Sequence, residues 1–141
     1  MELFRLYDLA GRNQIPVFRR SLPLCKSLSV QADGSCAIAL DPTVCDTGSV
    51  ERTHLSHELG HCLTGSFYNQ YSSHDLRRRH EIRADKWAIL QLVPAHKLDE
   101  AIADGRTEMW ELAEYFGVTE EFMRKAVTYH VHGNLATELY F

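Results

Sequence analysis

The hydrophobic positions near the start of the chain recur at the spacing of a helix and then change to the spacing of a strand. The helical positions are Leu3, Leu6, Tyr7 and Leu9. They predict a short amphipathic helix that ends before Pro16. From Leu22 to Leu40, apolar residues alternate with small or polar ones around an Asp33-Gly34 pair. This alternation predicts a β-hairpin whose turn lies at residues 32–34.

Helical patterns dominate the rest of the chain. The predicted helices cover about residues 50–63, 76–92, 107–116 and 119–129. Residues 46–49 offer several capping side chains ahead of the first of these helices, and Gly65 is a natural end for it. A polar and aromatic loop at residues 66–74 follows. Pro94 ends the second helix, and Gly117 separates the last two.

Together these elements indicate a single α+β domain. A chain of 141 residues with 45% hydrophobic content can bury one core without disulfide bonds. We expect a small β-sheet, formed by the hairpin, to pack on the helix of residues 50–63 together with several further helices. The core of the domain would span about residues 15–94, and a C-terminal helical pair would span about residues 106–130.

Composition argues against several classes of protein. A net charge of −4 gives no overall attraction to nucleic acid. Residues 1–11 mix charged and apolar side chains, unlike a secretion signal. No run of about 18 apolar residues is present, which excludes an ordinary membrane-spanning helix. We therefore expect a soluble, cytoplasmic protein that contacts no membrane.

The predicted helix of residues 50–63 contains the sequence His57-Glu58-Leu59-Gly60-His61. Two histidines four residues apart project from one face of a helix and can bind a single Zn²⁺ together. Glu58 lies close to that face, where a carboxylate can take a proton from metal-bound water and pass it to a leaving amine. We predict His57 and His61 as metal ligands and Glu58 as the catalytic base. Gly60 weakens the helix relative to Ala, so another backbone should approach closely there.

A catalytic zinc site needs a third protein ligand and leaves the fourth position to water. We predict Glu81 as that ligand. On the second predicted helix Glu81, Ala84 and Ala88 share one face, and small alanines allow another helix to approach closely. Asp85 is the alternative ligand. It could instead accept a hydrogen bond from the outer nitrogen of one of the two histidines.

Segments of the two metal-binding helices together match a known pattern. They are the His-Glu-x-x-His sequence of residues 57–61, the Glu-x-x-Ala-Asp-x-Trp-Ala sequence of residues 81–88 and the apolar end of that helix at residues 90–94. This pattern resembles the ImmA/IrrE family of metallopeptidases over residues 49–94, and more loosely to about residue 127. Members of that family are gluzincin-like peptidases, commonly encoded on phages and integrative elements, that cleave a helix-turn-helix repressor.

The resemblance implies a compact gluzincin-like domain in which His57, His61 and Glu81 bind zinc and Glu58 is the general base. We therefore predict a zinc-dependent endopeptidase whose substrate is an intracellular helix-turn-helix repressor. One alternative is a non-catalytic protein- or DNA-binding regulator with a structural zinc site, and another is an unrelated hydrolase on the same scaffold. Iron, cobalt, nickel and manganese are alternatives to zinc because His and carboxylate ligands accept them. The sequence favours no particular oligomeric state.

A peptidase also needs a hydrogen-bond donor for the oxyanion that develops on the substrate. The segment between the two metal-binding helices offers Tyr68, Tyr71, His74 and His80. A loop there could overhang the cleft, and we favour Tyr71. His54, three residues before His57, could face the same cleft or support it from behind.

Residues 112–123 are similar to a helix-turn-helix core, with the pattern Leu-Ala-x-x-Phe-Gly-Val-Thr-x-x-Phe-Met. In DNA-binding proteins the second helix of such a pair needs positive charge. Here that helix carries Glu120, Glu121, Arg124 and Lys125, which balance one another. We therefore expect this pair to serve packing or protein docking and not DNA binding.

The four cysteines include no Cys-x-x-Cys pair, so neither a thioredoxin-like motif nor a zinc ribbon is indicated. We expect free thiols that are partly buried in the core. Cys62 follows His61 and lies about 100° around the helix from it, so it should face away from the metal.

Overall fold

A computed structural model describes residues 1–69, 71–133 and 135, and in these ranges it contains six α-helices and three strands. In chain order they are α1 (Leu3–Arg12), β1 (Val17–Arg19), β2 (Ser27–Ala32), β3 (Ser35–Leu40), α2 (Gly48–Thr64), α3 (His74–Leu92), α4 (Ala95–Ala103), α5 (Met109–Phe116) and α6 (Glu120–His132). This composition confirms the α+β class predicted from the sequence.

The sheet has the strand order β1-β3-β2. Strands β2 and β3 form the predicted antiparallel hairpin. Asp33 and Gly34 occupy its turn with positive φ values of 52° and 77°, as two-residue hairpin turns require. Strand β1 pairs in parallel with β3 and was not predicted, because three residues are too few to show an alternating pattern.

Helix α2 lies at the centre of the domain, where it packs against the sheet, α1 and α3. Thr47 caps its start by accepting a hydrogen bond from the backbone N–H of Val50. Leu55 and Leu59 are fully buried in the core, and Glu58 on another side of the helix is also buried. Neighbouring elements therefore cover α2 on several sides.

The backbones of α2 and α3 approach closely at Gly60. A Cβ atom added there would lie 2.6 Å from the backbone oxygen of Ala84. Ala84 and Ala88 are themselves fully buried. The close backbone approach predicted for Gly60 is therefore confirmed, and it brings Glu81, one turn before Ala84, towards the histidines of α2.

We expect Gly60→Ala to reduce the free energy of unfolding by about 1–3 kcal/mol, because the added methyl group must push the two helices apart. Gly48→Ala is the control, since a Cβ at the first residue of α2 meets nothing within 4 Å. Urea unfolding of both variants would measure the difference. Equal stabilities would show that the approach of α3 does not require glycine.

Two of the four cysteines depart from our expectation of free thiols. Cys36 of β3 and Cys62 of α2 form a disulfide with Cα atoms 5.9 Å apart, a separation that such bonds ordinarily span. Cys25 and Cys45 are free. The pairing depends on how the sheet packs on α2 and has no signature in sequence spacing. It directs Cys62 towards the sheet, in agreement with the prediction that this residue faces away from the metal.

The C-terminal half contains one helix that we did not predict. Pro94 ends α3, as expected, but it also serves as the N-cap of α4. The expected pair α5 and α6 follows, with Gly117 between them at a φ of 66° and Thr119 capping α6. Helix α6 contacts α3. Among the described residues, no helix is long and apolar enough to cross a membrane.

Candidate metal centre

The side chains of His57, His61 and Glu81 converge where α2 meets α3. The Nε2 atoms of the two histidines are 3.2 Å apart. The Glu81 carboxylate places Oε2 2.8 Å from His57 Nε2 and Oε1 3.1 Å from His61 Nε2. One ligand atom from each residue lies within 4.8 Å of the others. The structure therefore brings together the three side chains predicted as metal ligands.

This donor set fits a zinc ion. Two nitrogens bound to tetrahedral zinc at about 2.0–2.1 Å lie roughly 3.4 Å apart, close to the separation of the two Nε2 atoms. Both Nε2 atoms face the cluster because both Nδ1 atoms have other partners, Asp85 for His57 and the backbone oxygen of Ser66 for His61. Two imidazoles and one carboxylate are a common ligand set of catalytic zinc.

Asp85 supports His57 from behind. Its Oδ1 accepts a hydrogen bond from His57 Nδ1 at 2.8 Å, and its Oδ2 lies 3.3 Å from Nζ of Lys125 on α6. A hydrogen bond from Nδ1 to a carboxylate leaves the Nε2 lone pair free to bind metal. Of the two roles considered for Asp85, the structure supports that of hydrogen-bond acceptor.

The electrostatic environment of the cluster favours positive charge. Burial lowers the pKa of His57, but the hydrogen bonds to Asp85 and Glu81 outweigh burial and raise this pKa to about 10. For Glu81, burial raises the pKa, yet the hydrogen bonds from His57 and His61 hold it well below its usual range. Carboxylates that stabilise a proton on His57 would stabilise a bound cation in the same place.

We expect Asp85→Asn to weaken zinc binding by about 10–100-fold, because a neutral amide supports the His57 ring less well than a carboxylate does. Competition with a chromophoric chelator would measure the affinity. Asp75→Asn, at an exposed position in the first turn of the same helix, is the control and should bind zinc like the wild type. Equal zinc affinities of the two variants would show that Asp85 does not support metal binding.

The predicted base, Glu58, is buried, with 6% of its surface exposed. Its Oε2 accepts a hydrogen bond from Ser27 Oγ at 2.6 Å, and its Oε1 accepts one from Ser29 Oγ at 2.7 Å. Neither serine was predicted from the sequence. The one signal in the sequence was that both serines occupy alternate positions of β2. They pair there with apolar residues of β3.

Two cavities meet at the cluster. The first has a volume of about 440 Å³ and lies between β2, α2 and the segment containing Phe67 and Tyr68. The second, of about 770 Å³, extends towards α6. Lys26, His54, His57 and Glu81 line both. Such access suits a catalytic metal, whose site stays open, better than a structural metal, whose site is closed.

Tyr68, and not Tyr71, lies beside the candidate metal ligands. The Tyr68 hydroxyl donates a hydrogen bond to Glu81 Oε1 at 2.7 Å. Burial, together with that hydrogen bond, raises the pKa of Tyr68 to about 12. Tyr71 is 87% exposed and lines neither cavity. Of the other candidates, His80 stacks on the Tyr68 ring and His74 contacts an arginine of its own helix.

A known protein family matches the part of the chain that contains this cluster. The family model Peptidase_M78, described as the IrrE N-terminal-like domain, matches residues 38–128. The matched segment runs from β3 into α6 and includes all three candidate ligands and Glu58. Searches of curated proteins and of solved structures gave no match. The chain therefore belongs to the IrrE N-terminal-like peptidases, the ImmA/IrrE family that its motifs resemble.

Proposed function

We propose that this protein is a zinc-dependent endopeptidase in which Glu58 activates water for attack on a peptide bond. One observation carries the proposal: two imidazoles and one carboxylate converge beside an open cavity that Glu58 also lines. Three protein ligands leave a coordination position for water or substrate. Membership in a metallopeptidase family supports a catalytic role for the metal.

Each side chain of the site has a separate role in the proposed reaction. A zinc ion held by His57, His61 and Glu81 would act as a Lewis acid that lowers the pKa of water and polarises the scissile carbonyl. Glu58 accepts the proton of the attacking water and returns it to the leaving amine, so the carboxylate ends the cycle unprotonated. In place of Tyr71 we propose Tyr68 as the donor to the oxyanion, because its hydroxyl lies beside Glu81, one of the proposed ligands.

We further propose that the substrate is an intracellular helix-turn-helix repressor, as the family resemblance implies. Such a substrate is a DNA-bound regulator, so the reaction would take place in the cytoplasm. The gene would belong to a phage or another mobile element, where relief of repression has a clear role.

The test is to incubate the zinc-loaded protein with any helix-turn-helix repressor that is encoded next to its own gene, and to analyse the mixture by intact mass spectrometry. We expect two fragments whose masses sum to that of the repressor plus one water molecule. A stable complex without fragments would instead support the alternative, a regulatory binding module with a structural zinc site.

A further inference from the structure

Two serines of strand β2 hold the carboxylate of Glu58 from one side. Each donates its hydroxyl proton to a different carboxylate oxygen, Ser27 to Oε2 at 2.6 Å and Ser29 to Oε1 at 2.7 Å. Because each carboxylate oxygen accepts one hydrogen bond, rotation of the carboxylate about χ3 is restrained. An ionised carboxylate has about four acceptor positions, so both oxygens keep the capacity to accept another proton.

Ser27 and Ser29 lie on the face of the sheet that is turned to the core. Ser27 pairs with Leu40 and Ser29 pairs with Ile38, and both partners are buried in the core. Paired residues project from the same face of a sheet. On the face turned to α2, β3 therefore presents apolar side chains while β2 presents hydroxyls. A buried carboxylate without hydrogen bonds is costly, and these hydroxyls are its donors.

A third side chain orients one of the two hydroxyls. His54 Nδ1 lies 3.1 Å from Ser27 Oγ. A serine hydroxyl has a single proton, and Ser27 donates it to Glu58. The hydroxyl oxygen must therefore accept its second hydrogen bond from the N–H at His54 Nδ1. This arrangement directs the Ser27 proton towards the carboxylate.

We propose that Ser27 and Ser29 are positioning residues for Glu58, and that His54 orients Ser27. The inference rests on the proposed function, in which Glu58 is the base that deprotonates water. A displacement of about 1 Å in a reacting group can cost about 10²-fold in rate. In the described part of the chain neither serine hydrogen-bonds to a proposed metal ligand, so their contribution concerns the base and not the metal.

The experiment compares the double variant Ser27→Ala, Ser29→Ala with the wild type on the same repressor. We expect kcat to fall by about 10²-fold, while KM and the zinc content stay within twofold of the wild type. Ser35→Ala, exposed at the start of β3, is the control and should cleave at the wild-type rate. The double variant Ser27→Thr, Ser29→Thr keeps both hydroxyls and should recover most of the rate.

A second measurement does not depend on activity. The two Ser→Ala changes should lower Tm by several degrees in the wild type, but by much less when Glu58 is already Ala, because the hydroxyls then have no carboxylate to bond. Equal Tm shifts in the two backgrounds would overturn the inference. A double Ser→Ala variant that cleaves at full rate, or that loses zinc in parallel with activity, would also overturn it. A wild-type protein that cuts no substrate contradicts the proposed function whatever the unfolding data show.

Discussion

Glu58→Gln is expected to cleave the repressor about 10²–10⁴-fold more slowly than the wild type while still binding about one zinc per chain. Glutamine has nearly the size of glutamate, but its amide does not accept a proton at neutral pH. The candidate metal ligands are other side chains, so the substitution should remove the proposed base and leave the metal site in place. Single-turnover cleavage measured together with metal content by plasma mass spectrometry would check both halves of this prediction.

The control for this experiment is Glu51→Gln. Glu51 is a second buried glutamate of α2, and it binds Tyr7 and Arg19 away from both cavities. This change should lower stability without slowing the chemical step. If Glu58→Gln cut the repressor at the full rate, the mechanism assigned to Glu58 would be wrong.

Glu81→Ala is expected to lose zinc. The wild type, purified without a metal-chelating tag, should contain about one zinc per chain. Because Glu81 is proposed as a direct ligand, zinc affinity should fall by more than the roughly 10–100-fold expected for a supporting residue such as Asp85. Adding zinc should raise the Tm of the stripped wild type, because zinc binds the folded state, and should leave that of the variant nearly unchanged.

Asp75→Ala provides the comparison, since this residue lies in the exposed first turn of the same helix as Glu81. It should retain the zinc content and the zinc-dependent Tm of the wild type. A wild-type protein that is free of metal and cannot be reloaded would refute the metallopeptidase proposal. Such a result would also count against a structural zinc site and would support a binding role without a metal.

Features of the fold that depend on residues close in sequence were predicted correctly. The hairpin turn at Asp33 and Gly34 follows from local backbone preferences. The start of α2 follows from the side chain of Thr47, which accepts a hydrogen bond from the backbone N–H three residues later. The shared direction of His57 and His61 follows from the periodicity of a helix alone. The glycine at position 60 also indicated, through its unfavourable helix propensity, that another backbone passes nearby.

Contacts between residues distant in sequence were not predictable from the sequence and could be identified only in the folded structure. Ser27 is 31 residues away from Glu58, and no spacing rule connects a strand to a helix over such a distance. The same limit applies to the Cys36–Cys62 disulfide and to the choice of Tyr68 over Tyr71, which depends on the path of the loop. Local propensities thus define the helix that carries His57, Glu58 and His61. The packing of β2 and α3 around that helix determines which distant side chains complete the site, because only packing sets distances between separate elements.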